Sequence, residues 1–153
     1  MIAFTLRRYT QADEAETVAL WVDTWQVVYP HIDFSARRET LRQRWHDEIA
    51  PPTTIVLAVM SERIAGFVTV EPERGYVDQL AVAPQAWGTQ VGAALIDEAK
   101  RLSPTVLELN VNQDNARALR FYEKHGFTKT GEGINPRSRL PIFHMRWQGA
   151  QPA

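Results

Sequence analysis

Apolar positions along the chain change their period several times, and each change marks an element. TIVLAVM (54–60) and IAGFVTV (64–70) are near-continuous apolar runs rich in β-branched residues, parted by the polar turn SER. Runs of that length around a turn predict a hairpin of buried strands. YVDQLAV (76–82) and TVLELNV (105–111) carry the strand signal onward, the second alternating apolar and polar from Leu107 on. FTLRRY (4–9) predicts the first strand, and FTKTGE (127–132) and PIFHMRW (141–147) the last two. Between strands the period lengthens. Thr10 and Asp13 form a capping-box pattern, and Ala15, Val18, Ala19, Val22 and Trp25 follow at helical spacing. That helix ends near Tyr29-Pro30, because proline disfavours helical geometry in the residue before it. A second helix is predicted over 35–49, with Leu41 and Trp45 inward, stopped by Pro51-Pro52. A third opens after AVAPQAWGTQVG. A short fourth carries Ala118, Phe121, Tyr122 and His125 on one side and closes at Gly126. The order is βααβββαβαββ, an α/β chain with a mixed sheet and helices on its faces, expected to form one domain over residues 1–153.

Composition then removes options. Of the 153 residues 44% are apolar and 23% charged, the net charge is −1, and no cysteine is present. Disulfides, thiol nucleophiles and thiolate metal sites are thereby excluded. Near-neutrality argues against a nucleic-acid coat or a polybasic membrane anchor. No apolar run reaches the length of a membrane span, and MIAFTLRRYT lacks the basic-then-apolar pattern of a signal peptide. The expectation is a cytoplasmic monomer or homodimer. Four scattered histidines without a carboxylate cluster predict no metal site.

The chemistry begins at WGTQVG. Any helix start carries unpaired N–H groups and about half a positive charge, so it can receive a phosphate. Gly88 and Gly92 would let a ligand approach the backbone; equally, glycines four apart serve tight packing of a helix on a sheet. The stretch is neither a P-loop nor a dinucleotide fingerprint. One strand later comes NQDNARALRFYEKHGF. Taken together, LAVAPQAWGTQVGAAL and this second stretch resemble the GNAT superfamily of N-acetyltransferases, which move an acetyl group from acetyl-CoA to an amine. The family motif Q/R-x-x-G-x-G/A falls on Trp87, Gln90 and Gly92. The later signature falls on Asn115, Ala116, Tyr122, Glu123, Gly126 and Phe127. In two places the chain departs from the pattern: Trp87 stands where the family has Gln or Arg, and Gln90 where it has Gly. The resemblance implies the acyl-CoA N-acyltransferase fold and acetyl-CoA as co-substrate. Backbone groups of Leu80, Ala81 and Val82 would hold the pantetheine arm. The N–H groups of Gly88, Thr89, Gln90, Val91, Gly92 and Ala93 would cradle the diphosphate. Asn115 would bond the CoA arm and Tyr122 would place its hydroxyl near the thioester sulfur.

Acetyl transfer to an amine needs a neutral nucleophile, a polarised carbonyl and a proton for the departing thiolate. Phenol and thiol acidities lie within about two units, so a tyrosine is a suitable acid. Tyr122 takes that role here, with core packing as the alternative reading of its place on an apolar helix face. The N–H of Val82 would meet the oxyanion. The base is open. Strand alternation puts Tyr76, Asp78, Leu80 and Val82 on one face, and Asp78 could reach an acceptor through water. Glu108, on the next strand, is the other carboxylate, unless it faces solvent or pairs with an arginine. The acceptor pocket is assigned to WVDTWQVVYPHIDF (21–34), where Trp25, Tyr29 and His31 offer aromatic walls. Trp25 also fits the core face of its helix, whereas Tyr29 and His31 sit in a turn. The expectation is an N-acetyltransferase acting on a primary amine of a small molecule, a peptide or a protein N-terminus, by direct transfer within a ternary complex. Two rivals stand beside it: a CoA-binding regulatory module without turnover, and a binder of some other phosphate.

Overall fold

The structure, a computed structural model, describes residues 3–49 and 53–149; the Pro51-Pro52 stop lies outside them. Seven strands and four helices follow one another as β1 (Thr5–Arg8), α1 (Glu14–Val28), α2 (Arg38–Arg44), β2 (Thr54–Met60), β3 (Arg63–Glu71), β4 (Tyr76–Val82), α3 (Val91–Leu102), β5 (Val106–Asn112), α4 (Ala116–Lys124), β6 (Thr128–Ile134) and β7 (Pro141–Gln148). They build one mixed sheet in the order β1-β2-β3-β4-β5-β7-β6. Every neighbouring pair is antiparallel except β4 with β5, which is parallel.

Local chemistry explains the helix ends. The Thr10 N–H donates to Asp13 Oδ2 at 2.8 Å, so the capping box forms as its spacing predicts. Arg7 clamps the same carboxylate with two 2.9 Å bonds. The second helix is not continuous. It begins as a 3-10 turn (Ser35–Arg37), runs as α2, and widens to a π turn over Trp45–Ile49. The widening falls where Trp45 enters the core, fully buried against Phe67 at 5.1 Å and Trp21 at 5.8 Å between ring centres. A 3.6-residue pattern carries no sign of such a local change in pitch.

Each face of the sheet has its own core. On one side α3 packs on Val56, Val68, Val70, Val77, Leu107 and Leu109. On the other, α1 and Trp45 pack on Ile55, Leu57, Phe67 and Ala81. Gly66 makes the first approach possible: a Cβ there would lie 2.8 Å from the Ala81 carbonyl and 3.0 Å from Leu95. Among the described residues no helix is long and apolar enough to cross a membrane.

A bulge in β4 sets which way its side chains point. Pairing with β3 steps from Thr69↔Gln79 to Val70↔Val77, leaving Asp78 unpaired. An extra residue on one strand reverses the alternation beyond it. Tyr76, Asp78, Leu80 and Val82 therefore do not share a face. Asp78 meets Arg44 of α2, while Leu80 and Val82 pack against the core beneath α3.

Candidate active site

Strands β4 and β5 are joined at one register pair, Tyr76↔Glu108, together with a 2.7 Å bond from the Glu108 N–H to the Gly75 carbonyl. Beyond that point they part. The Ala83 N–H donates to Ala65 of β3 at 2.8 Å. In an antiparallel ladder alternate residues bond to the same neighbour, so Ala81 also faces β3, while Leu80 and Val82 turn their N–H groups toward the gap. A ligand arm entering as an added strand can thus pair with Leu80 and Val82, and Ala81 is already committed to Phe67. The Val82 carbonyl is capped by the Trp87 indole N–H at 2.8 Å.

The gap's edge runs into the start of α3. A 3-10 turn (Pro84–Ala86) leads to Gly88, whose φ of +80° suits glycine and whose Cβ position is open space to 4 Å. Of the six N–H groups expected to form a cradle, two are engaged: Thr89 with the Ala86 carbonyl and Val91 with Thr89 Oγ1, each at 3.3 Å. Those of Gly88, Gln90, Gly92 and Ala93 have no partner among the described residues. Gly92 serves packing as well, because a Cβ there would come within 3.1 Å of Phe121. Gln90, the N-cap of α3, is exposed. An open turn, four free donors at a helix start and an unpaired strand edge fit a diphosphate with an extended arm.

Helix α4 closes the same side. Asn115 is its N-cap, its Oδ1 accepting from the Ala118 N–H at 3.2 Å; the Nδ2 donor keeps no partner among the described residues. Tyr122 is 8% exposed, edge-on to Phe121 and Phe127. Its hydroxyl has no hydrogen-bond partner among the described residues, and burial pushes its pKa well up, so it carries its proton at physiological pH.

The opposite face of the gap is polar. Burial raises the Asp78 carboxyl above its usual range, against the opposing pull of Arg44, whose Nη2 lies 3.8 Å away. A raised carboxylate is a better proton acceptor than an ordinary one. Beside it Tyr76 accepts from Asn110 Nδ2 at 3.2 Å, and Asn110 Oδ1 lies 2.6 Å from His144 Nδ1. That pattern requires the His144 Nδ1 to donate. Glu108 faces Arg146 at 3.9 Å in solvent. No sequence pattern marks the Tyr76–Asn110–His144 chain, because the bulge decides which β4 residues meet β5.

The aromatic segment is tied down rather than loose. Tyr29, the C-cap of α1, is buried to 6% exposure. Its hydroxyl donates to Asp114 at 2.7 Å and accepts from Asn112 at 2.8 Å, so it spans from α1 to the far side of the gap. Burial first, then Asp114, pushes its pKa up to about 12. Trp25 lies stacked between Tyr29 and Phe34, with ring centres 5.6 Å and 6.4 Å away. His31 is exposed and edge-on to Tyr29. Gln26 fixes the turn by donating to Ile32 O at 2.7 Å and accepting from the Phe34 N–H at 3.0 Å. A cleft of about 440 Å³ opens instead beside α2, lined by Glu39, Thr40, Gln43, Arg44, Asp47 and Arg137. Trp25, Tyr29 and His31 do not line it. Arg44 and Arg137 connect it electrostatically to Asp78. Among the described residues no group of three or more His, Asp or Glu could hold a metal.

Comparison with known proteins places this arrangement. The chain is 29% identical over 152 residues to peptidyl-lysine N-acetyltransferase YjaB of Escherichia coli, covering 97% of this chain and 100% of that one. It is 30% identical over 111 residues to mycothiol acetyltransferase of Brachybacterium faecium, which spans 65% of this chain and 32% of the relative. The solution structure of apo YjaB superposes with a TM-score of 0.79 at 24% identity, covering 97% and 100% of the two chains. The PaiA N-acetyltransferase of Thermoplasma acidophilum, solved in complex with coenzyme A, does so with a TM-score of 0.75 at 16% identity over 96% and 99%. Residues 28–148 match the family model described as acetyltransferase (GNAT) domain, so the chain belongs to the GNAT acetyltransferases and is an acetyl-CoA-dependent acyltransferase.

Proposed function

We propose that this enzyme transfers the acetyl group directly to a primary amine, both substrates being bound at once on opposite sides of the β4–β5 gap. The observation that carries the reading is the unpaired Leu80–Val82 edge, which leads from the single β4–β5 pair to the free donors at the start of α3. Acetyl-CoA, when bound, supplies an activated thioester. Leu80 and Val82 hold its arm by their backbone groups, and the Val82 N–H meets charge developing on the carbonyl oxygen. Gly88, Gln90, Gly92 and Ala93 donate to the diphosphate. The Asn115 Nδ2 donates to the arm, and Tyr122 keeps a proton available for the departing sulfur. Asp78 takes a proton from the incoming ammonium through water.

For the acceptor, the lysine side chain of a peptide is the first class to try. The YjaB relative bears that activity in its name, and the cleft beside α2 offers the carboxylates of Glu39 and Asp47 alongside Arg44 and Arg137. Release of CoA should be followed while the protein is presented with acetyl-CoA and lysine-containing peptides, small polyamines and free α-amines in parallel. Turnover on an amine, with one acetyl group gained by mass, supports the reading. Tight CoA binding with no turnover on any amine class would leave the non-catalytic module instead.

A further inference from the structure

Trp87 stands where the family motif has a Gln or Arg, and helix α4 brings a cation to it. The Arg117 guanidinium lies over the Trp87 ring, 3.6 Å from its centre. The ring is itself fixed by its N–H bond to the Val82 carbonyl at 2.8 Å. Trp87 immediately precedes Gly88, where the turn is open and its N–H is free. Stacking of this kind leaves the edge of a guanidinium, with its N–H fork, directed away from the ring and available to an anion. Arg117 has no carboxylate partner among the described residues. Its nearest charged influence is repulsive: Arg120, one turn on, joins burial in lowering its pKa. Arg117 and Arg120, both exposed and without a carboxylate partner among the described residues, favour an anion on this face of α4.

We propose that Arg117, held over the Trp87 ring next to Gly88, binds the diphosphate of CoA. This rests on the reading of the gap as the acetyl-CoA site. Arg117 is then a binding residue for the co-substrate, and Trp87 the residue that positions it.

The test is calorimetric titration of the whole chain with CoA, 3′-dephospho-CoA and pantetheine, comparing wild type with Arg117→Ala, Arg117→Lys and Trp87→Phe. Arg117 is exposed, so its variants should melt where the wild type does, and a melting curve checks this. Loss of one charge-assisted contact should raise Kd for CoA about tenfold in Arg117→Ala. The same factor is expected for 3′-dephospho-CoA, with none for pantetheine. Lysine keeps the charge but neither fork nor stack, so its Kd should lie between. Trp87→Phe keeps a flat ring and should lose less than Arg117→Ala. Wild-type binding with an unchanged Kd in Arg117→Ala overturns the inference and leaves the acetyl-CoA reading intact. A loss that vanishes on 3′-dephospho-CoA also overturns it, assigning Arg117 to the 3′-phosphate. No binding of CoA to the wild type sinks both.

Discussion

The two walls of the β4–β5 gap are made of different material. The α3 wall is mostly main chain: the edge of Leu80 and Val82 and the free N–H groups of Gly88, Gln90, Gly92 and Ala93. These come from one continuous stretch of chain, and any residue but proline supplies such a donor. The α1–α2 wall is mostly side chain, gathered from Tyr29, Arg44, Asp78, Asn110, Asn112, Asp114 and His144. A wall made of backbone keeps its donors whichever side chains stand at Trp87 and Gln90. A wall made of side chains changes with each substitution, and under the proposed function it is the side that would tell one acceptor from another.

The largest expected effect tests whether the walls are separable in energy. Trp45→Ala empties a fully buried indole position on the α1 side and should cost about 3–5 kcal/mol in urea unfolding. If the walls are independent, CoA affinity of the folded protein should stay within about twofold, even though Trp45 shares a core with Ala81, which lies between Leu80 and Val82. A collapse of CoA binding in parallel would break the comparison. Next in size, Tyr122→Phe should lower kcat about a hundredfold, near 2.7 kcal/mol of barrier, while CoA affinity is kept. An unchanged kcat would make Tyr122 a core residue, as its ring contacts alone would suggest.

Tyr29→Phe removes the hydroxyl that ties α1 across the gap to Asn112 and Asp114, and should cost about 1 kcal/mol. Its kinetic mark should be a raised KM for the amine with CoA affinity held, which assigns the tether to the acceptor wall; the reverse would assign it to the other. The smallest effect lies at the far end of α1. Arg7 holds the Asp13 carboxyl well below the usual carboxylate range, with burial opposing and Thr10 assisting. Because the folded pKa is depressed, its stabilisation is complete above the unfolded value near 4 and is lost as pH falls through the folded one. With Arg7 nearly half exposed, this is worth below about 1 kcal/mol. Asp13→Asn should flatten the acid limb of a stability–pH curve and leave both affinities alone.

Legibility in the sequence divides along the same line. The start of α3 and the Asn115–Phe127 stretch are readable because motif, capping and glycine placement are local. The α1–α2 wall misleads in three particulars. Alternation along YVDQLAV puts Asp78 with Leu80 and Val82, and the bulge separates them. Tyr29 looks like a free turn residue, yet it is buried and doubly bonded. Arg44 and Gln26, the residues that meet Asp78 and fasten the turn, give no signal at all.

By itself, then, the sequence determined which segments are strands and helices, where α1 is capped, and that a helix opens after β4 with glycines at its mouth. Each of these is decided by residues within one or two turns of each other, through hydrophobic period and backbone propensity. Only the tertiary structure decided the bulge at Asp78, the parting of β4 from β5, the Tyr29 tether to residues more than eighty positions away, and the stacking of Arg117 on Trp87. Those depend on cross-strand register and on which side chains share a packed face, and a one-residue shift in register reverses every such contact.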